Sequence, residues 1–330
     1  MQMKTNRLRI LQPQNLLWLA FPLLLWWALW QVPAGEILAV LGGLSLWAIL
    51  VLIVVNTAIL AMFSARWWLI LRAQGHRLPY LSLAGYRLAA FGVTYVTPGP
   101  QLGGEPLQAY LLHRRMRVPG AEAVASVMLD KLLELLANFS FLLFGISITL
   151  GAGLLSSEIG SQALLLSLGL LALPGGYLLV LWRDRTPLTR LAKWAAERFS
   201  GGRFDGVAGL AQTSEIQIAR FVKESPGTIL KAILLSVLIW IAIVFEFSLA
   251  LAFLGIQMNL QQVIIALTAA RIAFLLPVPA GLGTLEAGQV LAMQAMGFNP
   301  AVGISLSLLI RARDVVLGGF GLWLGGVLSR

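Results

Sequence analysis

The chain has 330 residues, of which 58% are hydrophobic and 12% charged, and its mean hydropathy is +0.84; so little polar content cannot clothe a water-soluble globule, and lipid must cover most of the perimeter. The formal charge of +10 does not point to nucleic acid, because the Lys and Arg residues fall in short segments beside apolar runs, where membrane topology uses them. With no cysteine in the chain, disulfides, thiolate catalysis and cysteine metal sites are excluded, and His76 and His113 belong to no zinc-type spacing.

The apolar runs are long enough for helical spans of about 20 residues, and the alternation a barrel requires is missing. Met1 to Arg9 followed by Leu16 to Val32 resembles a signal peptide with a poor cleavage site at Val32-Pro33-Ala34. A second apolar segment follows at once, so the first reads as a retained span. Further full spans are predicted over Ile37–Met62, Ala121–Leu150, Gln162–Trp182, Ile229–Leu254 and Pro300–Leu328. Two more segments, Pro79–His113 and Leu260–Met296, are interrupted halfway by Pro and Gly, and neither half is long enough to cross alone.

Three Lys or Arg precede the first span, three lie in 63–78, three in 114–117 and eight in 183–228, whereas the connections around Glu36, Glu158 and Gln257 hold none. The positive-inside rule then places both termini in the cytoplasm, with six full crossings of a cytoplasmic (inner) membrane. Pro79–His113 must enter and leave on the inner side, and Leu260–Met296 on the outer, so both read as re-entrant hairpins. The expected fold is a single all-α polytopic domain over 1–330. Residues 16–150 and 162–328 form two copies of one pattern, and an odd number of crossings per copy makes this an inverted repeat. Two Pro-kinked pairs of full spans are the alternative. The cytoplasmic insertion 183–228 carries one amphipathic stretch, with Leu188, Leu191, Ala195 and Phe199 on one side, expected to lie on the inner surface.

The first interruption reads Thr97-Pro98-Gly99-Pro100-Gln101-Leu102-Gly103-Gly104-Glu105-Pro106: prolines end the incoming helix, glycines permit the reversal, and Pro106 suits the next helix's first turn. The second runs from Pro277 through Gly281-Leu282-Gly283-Thr284-Leu285-Glu286-Ala287, with Thr284 as the N-cap candidate and Glu286 in the first turn. Glu105 and Lys131 are 26 positions apart, Glu286 and Arg311 are 25 apart, and the two motifs look like copies. Amides left unpaired at such breaks favour phosphate or carboxylate, unless Glu105 and Glu286 satisfy the helix ends themselves.

Arg87 and Arg271 precede the breaks, and Asp130, Lys131, Glu134, Arg311, Arg313 and Asp314 lie in predicted spans. Each costs about 2.5–3.5 kcal/mol at a helix centre on insertion scales, so they should converge on a polar interior. Lys131 with Glu134 and Arg311 with Asp314 are spaced for local pairing, and Glu246 for pairing with one of the arginines. Arg66-Trp67-Trp68 and Trp182-Arg183 fit interfacial anchoring. The expected head-group site comprises Arg87, Gly103, Gly104, Glu105, Lys131, Arg271, Gly281, Gly283, Thr284, Glu286 and Arg311. No catalytic or nucleotide-binding motif, metal site or cofactor signature is present.

Arg66-Trp67, Thr97-Pro98-Gly99 with Leu102-Gly103-Gly104-Glu105, and Pro277 with Gly281 to Ala287 resemble the flippase-like domain family, the transmembrane region of lysylphosphatidylglycerol synthases, over nearly the whole chain. The resemblance implies translocation of a membrane lipid with an anionic or phosphate-bearing head group. The sequence ends at Arg330 without the soluble synthase domain, so lysyl transfer is not expected. The family's basic residues after the first Pro-Gly and after the Glu are replaced here by Pro100 or Gln101 and by Gln108. The competing functional readings are a membrane enzyme using Glu105 or Glu286 as general base, and a membrane partner of a separate lipid-modifying enzyme.

Overall fold

The structure is a computed structural model, and it describes residues 35, 38, 41–97, 102–199, 205–276 and 278–329. The predicted first span over Leu16–Val32 and the signal-peptide question lie outside these residues, as do Pro98–Gln101 and Pro277. Among the described residues eleven α-helices follow one another: α1 Leu46–Ala73, α2 Tyr80–Val96, α3 Glu105–Met116, α4 Gly120–Gly151, α5 Ser157–Trp182, α6 Pro187–Phe199, α7 Asp205–Glu224, α8 Pro226–Phe253, α9 Leu260–Leu275, α10 Thr284–Ala295 and α11 Pro300–Ser329. A 3-10 turn, Pro279–Gly281, lies between α9 and α10.

Among the described residues four helices, α1, α4, α5 and α8, are long and apolar enough to cross a membrane. Each has 26 to 32 residues, about 39–48 Å at 1.5 Å per residue. Their outer faces are bare hydrocarbon: Trp47 and Val54 on α1, Leu165 and Leu173 on α5, and Leu234 and Ile241 on α8 are exposed. In water that surface would be unstable, and in lipid it is the solvated face. α11 has 30 residues, but Arg311, Arg313 and Asp314 interrupt its apolar character midway.

Local chemistry sets the ends of these helices. The Ser45 hydroxyl accepts the Ala48 amide at 3.2 Å and starts α1, and Ser156 does the same for α5 through Ile159 at 3.3 Å. Asn259 and Gln262 form a reciprocal capping box at the start of α9. The span predicted over Ile37–Met62 is therefore displaced: the chain turns at Gly43-Leu44, and α1 runs from Leu46 through Arg66 to Ala73. It continues past Arg66 because that side chain is neutralised inside the protein, as described below. The predicted spans on α4, α5, α8 and α11 agree with helices within a few residues, α5 starting earlier than expected, at Ser157.

The interrupted segments each form two short helices. α2 and α3 have 17 and 12 residues, α9 and α10 have 16 and 12, or about 18–26 Å each against a hydrocarbon core of about 30 Å. α2 lies on α11 through glycines: a Cβ at Gly92 would be 2.5 Å from the Leu322 amide nitrogen, and one at Gly321 would be 2.1 Å from the Leu88 carbonyl oxygen. Only hydrogen fits at that crossing, the small-residue packing that membrane helices use. Glycines also admit close approach of α9 to α4 at Gly145 and of α10 to α11 at Gly303. α9 packs on α4, α3 on α4, α10 on α11, and α1 on α8.

The insertion holds two helices rather than the one amphipathic stretch read from sequence. Glu215 of α7 is buried and accepts the Leu188 and Thr189 amides, each at 2.9 Å, the Thr189 hydroxyl at 2.6 Å and the Tyr177 hydroxyl at 2.8 Å. One carboxylate thus fixes the N-terminus of α6, the flank of α5 and α7 itself. Ile218 and Phe221 of α7 join Leu129 and Leu133 of α4 in a buried cluster.

Candidate functional site

The first break is built tightly. The Gly104 amide donates to the Thr94 hydroxyl at 3.0 Å, the Gly103 amide donates to the Glu105 carboxylate at 2.8 Å, and a Cβ on Gly104 would lie 2.0 Å from the Ala90 carbonyl oxygen. The expectation of unpaired amides fails at these two positions, because groups of the same hairpin already accept them. These two amides are therefore not available to an anion.

The charged side chains form a lattice. Arg66, 1% exposed, donates through Nε to Asp130 Oδ1 at 2.7 Å and reaches Glu134 Oε2 at 3.3 Å. Arg87 binds the same two carboxylates, Asp130 Oδ2 at 2.6 Å and Glu134 Oε2 at 2.7 Å. Lys131 bridges Glu105 at 3.0 Å and Glu134 at 2.9 Å. The Phe63 ring lies under both guanidiniums, 5.4 Å from Arg66 and 5.0 Å from Arg87. Arg66 is therefore an interior member of the lattice and not the interfacial anchor expected from Arg66-Trp67-Trp68. Trp67 is buried beside it, and its ring nitrogen donates to Ser126 at 3.2 Å. Trp182, by contrast, is exposed as an anchor should be.

A second group of charges faces this lattice from α8, α9 and α11. Arg313 donates to Glu246 at 3.2 Å and to Asp314 at 2.9 Å, while Asn56 of α1 donates to Glu246 at 3.3 Å. Arg271 stands apart. Among the described residues it makes no ion pair; its guanidinium sits 4.8 Å from the Trp240 ring centroid, and its Nε is buried without a hydrogen-bond partner.

The two groups enclose a cavity of about 240 Å³ lined by Arg87, Gly104, Glu105, Gln108, Asp130, Lys131, Glu134, Glu246, Arg271, Arg313 and Asp314. A neighbouring cavity of about 360 Å³ shares Phe63, Lys131, Glu134 and Arg271 and adds Arg66, Leu102 and Tyr177. Counting Arg66, five basic and five acidic side chains meet here, and their formal charges cancel. Burial in lipid makes that balance necessary, since an uncompensated charge costs several kcal/mol. Gln108 Nε2 is also buried without a partner. Among the described residues no group of three His, Asp or Glu is arranged to hold a metal.

The second break is locked differently. Arg311, 2% exposed, pairs with Glu286 through Nε and Nη2, Nη2 lying 2.7 Å from Oε2, and also holds the Ala280 and Gly281 carbonyls at 3.3 and 3.1 Å. Ala280 has φ +51, a conformation costly for a residue with a Cβ, and the arginine braces it. Thr284 is not the N-cap. Gly283 holds that position, and the Thr284 hydroxyl donates to Gly281 and Ala273 carbonyls at 3.1 and 3.2 Å. The 3-10 turn rests on α2, so the two broken segments touch.

Residues 17–320 match the family described as the lysylphosphatidylglycerol synthase TM region. The chain belongs to this family. Two similar proteins carry the description UPF0104 membrane protein: one of Methanothermobacter thermautotrophicus, 24% identical over 278 residues with 80% of each chain covered, and one of Methanocaldococcus jannaschii, 26% identical over 270 residues with 78% of this chain and 77% of its own covered. No solved structure matches. Together with the four long apolar helices, this makes the chain a multi-pass membrane protein.

For this member of the lysylphosphatidylglycerol synthase TM-region family, the expected site residues divide into two sets. Arg87, Gly104, Glu105, Lys131 and Arg271 line the charged cavity, and Gly103 is hydrogen-bonded to Glu105 at its edge. Gly281, Gly283, Thr284, Glu286 and Arg311 belong to the second break, outside that lining. Of the local pairs, Lys131–Glu134 forms, whereas Arg311 turns to Glu286 and leaves Asp314 to Arg313. Sequence reasoning missed Arg66, Asn56 and Gln108 as site residues; the available signal was an arginine followed by 64 positions and then Asp130, which spacing alone cannot pair.

Proposed function

We propose that this chain is an integral membrane lipid translocase, flippase- or scramblase-like, that holds a phosphate-bearing head group in the charged cavity beside the first break. The observation that carries the reading is Arg271. Within a lattice whose other charges are matched by carboxylates, it keeps a buried, unpartnered Nε on the wall of both cavities. A buried donor left unmade costs about 1–3 kcal/mol, which an anionic oxygen would recover.

Two inverted repeats, 16–150 and 162–328, with re-entrant hairpins supply the path in this proposal. In support, the packing is matched pairwise: α2 on α11 has its counterpart in α9 on α4, and α3 on α4 in α10 on α11. Each break's glutamate pairs with a cation at the equivalent place on the following long helix, Glu105 with Lys131 and Glu286 with Arg311. The half-helices fall short of the hydrocarbon thickness. The lysine and arginine distribution supports a cytoplasmic membrane with both termini inside, and α6 then rests on the inner surface through exposed Leu188, Leu191 and Trp194. A head-group transferase is less well supported, because Glu105 and Glu286 are each tied to a cation and are poorly placed to take a proton.

The test is a leaflet-exchange assay on phosphatidylglycerol in proteoliposomes. Arg271→Ala should lower the rate about 10- to 100-fold, the equivalent of one charge-assisted hydrogen bond, and Arg271→Lys should recover part of it. Equal rates in wild type and Arg271→Ala would remove the arginine from the mechanism.

A further inference from the structure

The charged cavity does not end in a polar wall on every side. Asn56, Glu246, Arg313 and Leu317, which line it, also line a third cavity of about 330 Å³ between α1, α8 and α11. Beyond those residues and Thr57, that third space is lined by apolar side chains. Phe247, Ala250, Leu309 and Ile310 form its buried inner wall, and Ile53 and Val316, both exposed, lie at its outer mouth. A groove open to the bilayer at one end thus joins a charged chamber at the other, with Asn56, Glu246 and Arg313 at the seam.

We infer that this groove holds one acyl chain of the same lipid whose head group occupies the charged cavity, so that the protein takes an intact amphiphile from the bilayer and not a water-soluble anion. The inference rests on the head-group reading above. An apolar groove gains almost nothing by exchanging one hydrocarbon neighbour for another, since lipid tails are as apolar as leucine. The groove by itself is therefore not a sink for chains. What selects it is the tether: a head group drawn past the Asn56–Glu246–Arg313 seam toward Arg271 lays its chain along Phe247 and Ile310. The same seam explains why a polar triad abuts lipid-facing surface at all, since it is where a molecule must change from apolar to charged surroundings.

The experiment uses the full chain in bilayers containing phosphatidylglycerol with a photoreactive diazirine near the end of one chain, followed by irradiation and peptide mass spectrometry. Adducts on Ile53, Phe247, Ile310 and Val316 should be enriched several-fold over those on Leu165 and Leu168, which face lipid on α5. Diacylglycerol with the same diazirine should give no such enrichment. Equal labelling of groove and α5 by the phospholipid, or equal enrichment with diacylglycerol, overturns the inference, and the wild-type adduct map decides it without any variant. Ala250→Trp, which fills the groove, should abolish groove adducts and leave those on α5 unchanged; their persistence also overturns it. Because labelling is read separately from leaflet exchange, a failure of Arg271→Ala to slow exchange counts against translocation, whereas a flat adduct map counts against the groove.

Discussion

Asp130 accepts Arg66 on one oxygen and Arg87 on the other, and it is the group on which the interior lattice turns. Removing it strands two guanidiniums, one of them only 1% exposed, with Glu134 as their shared remaining carboxylate. Breaking a buried pair from one side costs about 3–5 kcal/mol, because the remaining charge has no water to return to. Asp130→Ala should therefore lower thermal stability in detergent sharply, by about that amount. The double variant Arg66→Met with Asp130→Leu should recover much of it, since apolar replacement of a whole pair is often neutral. An unchanged melting temperature in Asp130→Ala would show that the lattice is solvated and not buried. At this scale the sequence named Arg87, Asp130, Lys131 and Glu134 as interior charges because an ionisable residue in an apolar run is conspicuous. It could not name Arg66, whose neighbours Trp67 and Trp68 imitate a membrane-interface anchor and whose partner lies 64 positions away.

The elements divide by how firmly they are held. α2 is pinned to α11 where Gly92 and Gly321 admit backbone to backbone, and the second break is clamped by a bidentate arginine that also grips two carbonyls of a strained turn. The first break is packed as closely, but its ion pair is of a looser kind: a lysine shared between Glu105 and Glu134, all three partly exposed. Point charges on flexible stems exchange partners more readily than planar guanidiniums in a fork, so the Lys131 contacts, and not the backbone packing of the first break, are the part free to rearrange. Gly92→Leu should separate α2 from α11 and cost at least about 1–3 kcal/mol by overpacking. Gly319 on α11 has nothing within 4 Å of an added Cβ, and Gly319→Leu should stay within about 0.5 kcal/mol. Circular dichroism melts of the pair check this, and equal melts would argue that the crossing is loose. The near-equal spacing of Glu105–Lys131 and Glu286–Arg311 was readable because a repeat copies positions. The Thr284 cap was not, because hydroxyl orientation depends on the Ala273 carbonyl brought in by folding.

For the whole molecule, hydropathy located four of the long helices and both interruptions, since lipid leaves a chain few ways to satisfy its backbone. The start of α1 was misplaced by a local cap that the apolar run conceals, and α7 was missed because half its face is buried against α4. Orientation can be read by single-cysteine labelling, which the absence of cysteine makes clean. Arg77→Cys and Gln257→Cys report the two loops flanking α4, α5 and α8, and the inverted arrangement requires that an impermeant thiol reagent reach the first from inside and the second from outside. That result alone does not distinguish hairpins from kinked pairs of full spans, because replacing one hairpin by two crossings leaves the parity unchanged. The tips decide. If α2 and α3 turn within the bilayer, Leu102→Cys reacts slowly and only through the cavity it lines; if they cross, it reacts from outside as fast as Gln257→Cys. Leu282→Cys should behave likewise, slow from either face, and rapid labelling from inside would make α9 and α10 full crossings and close the proposed path.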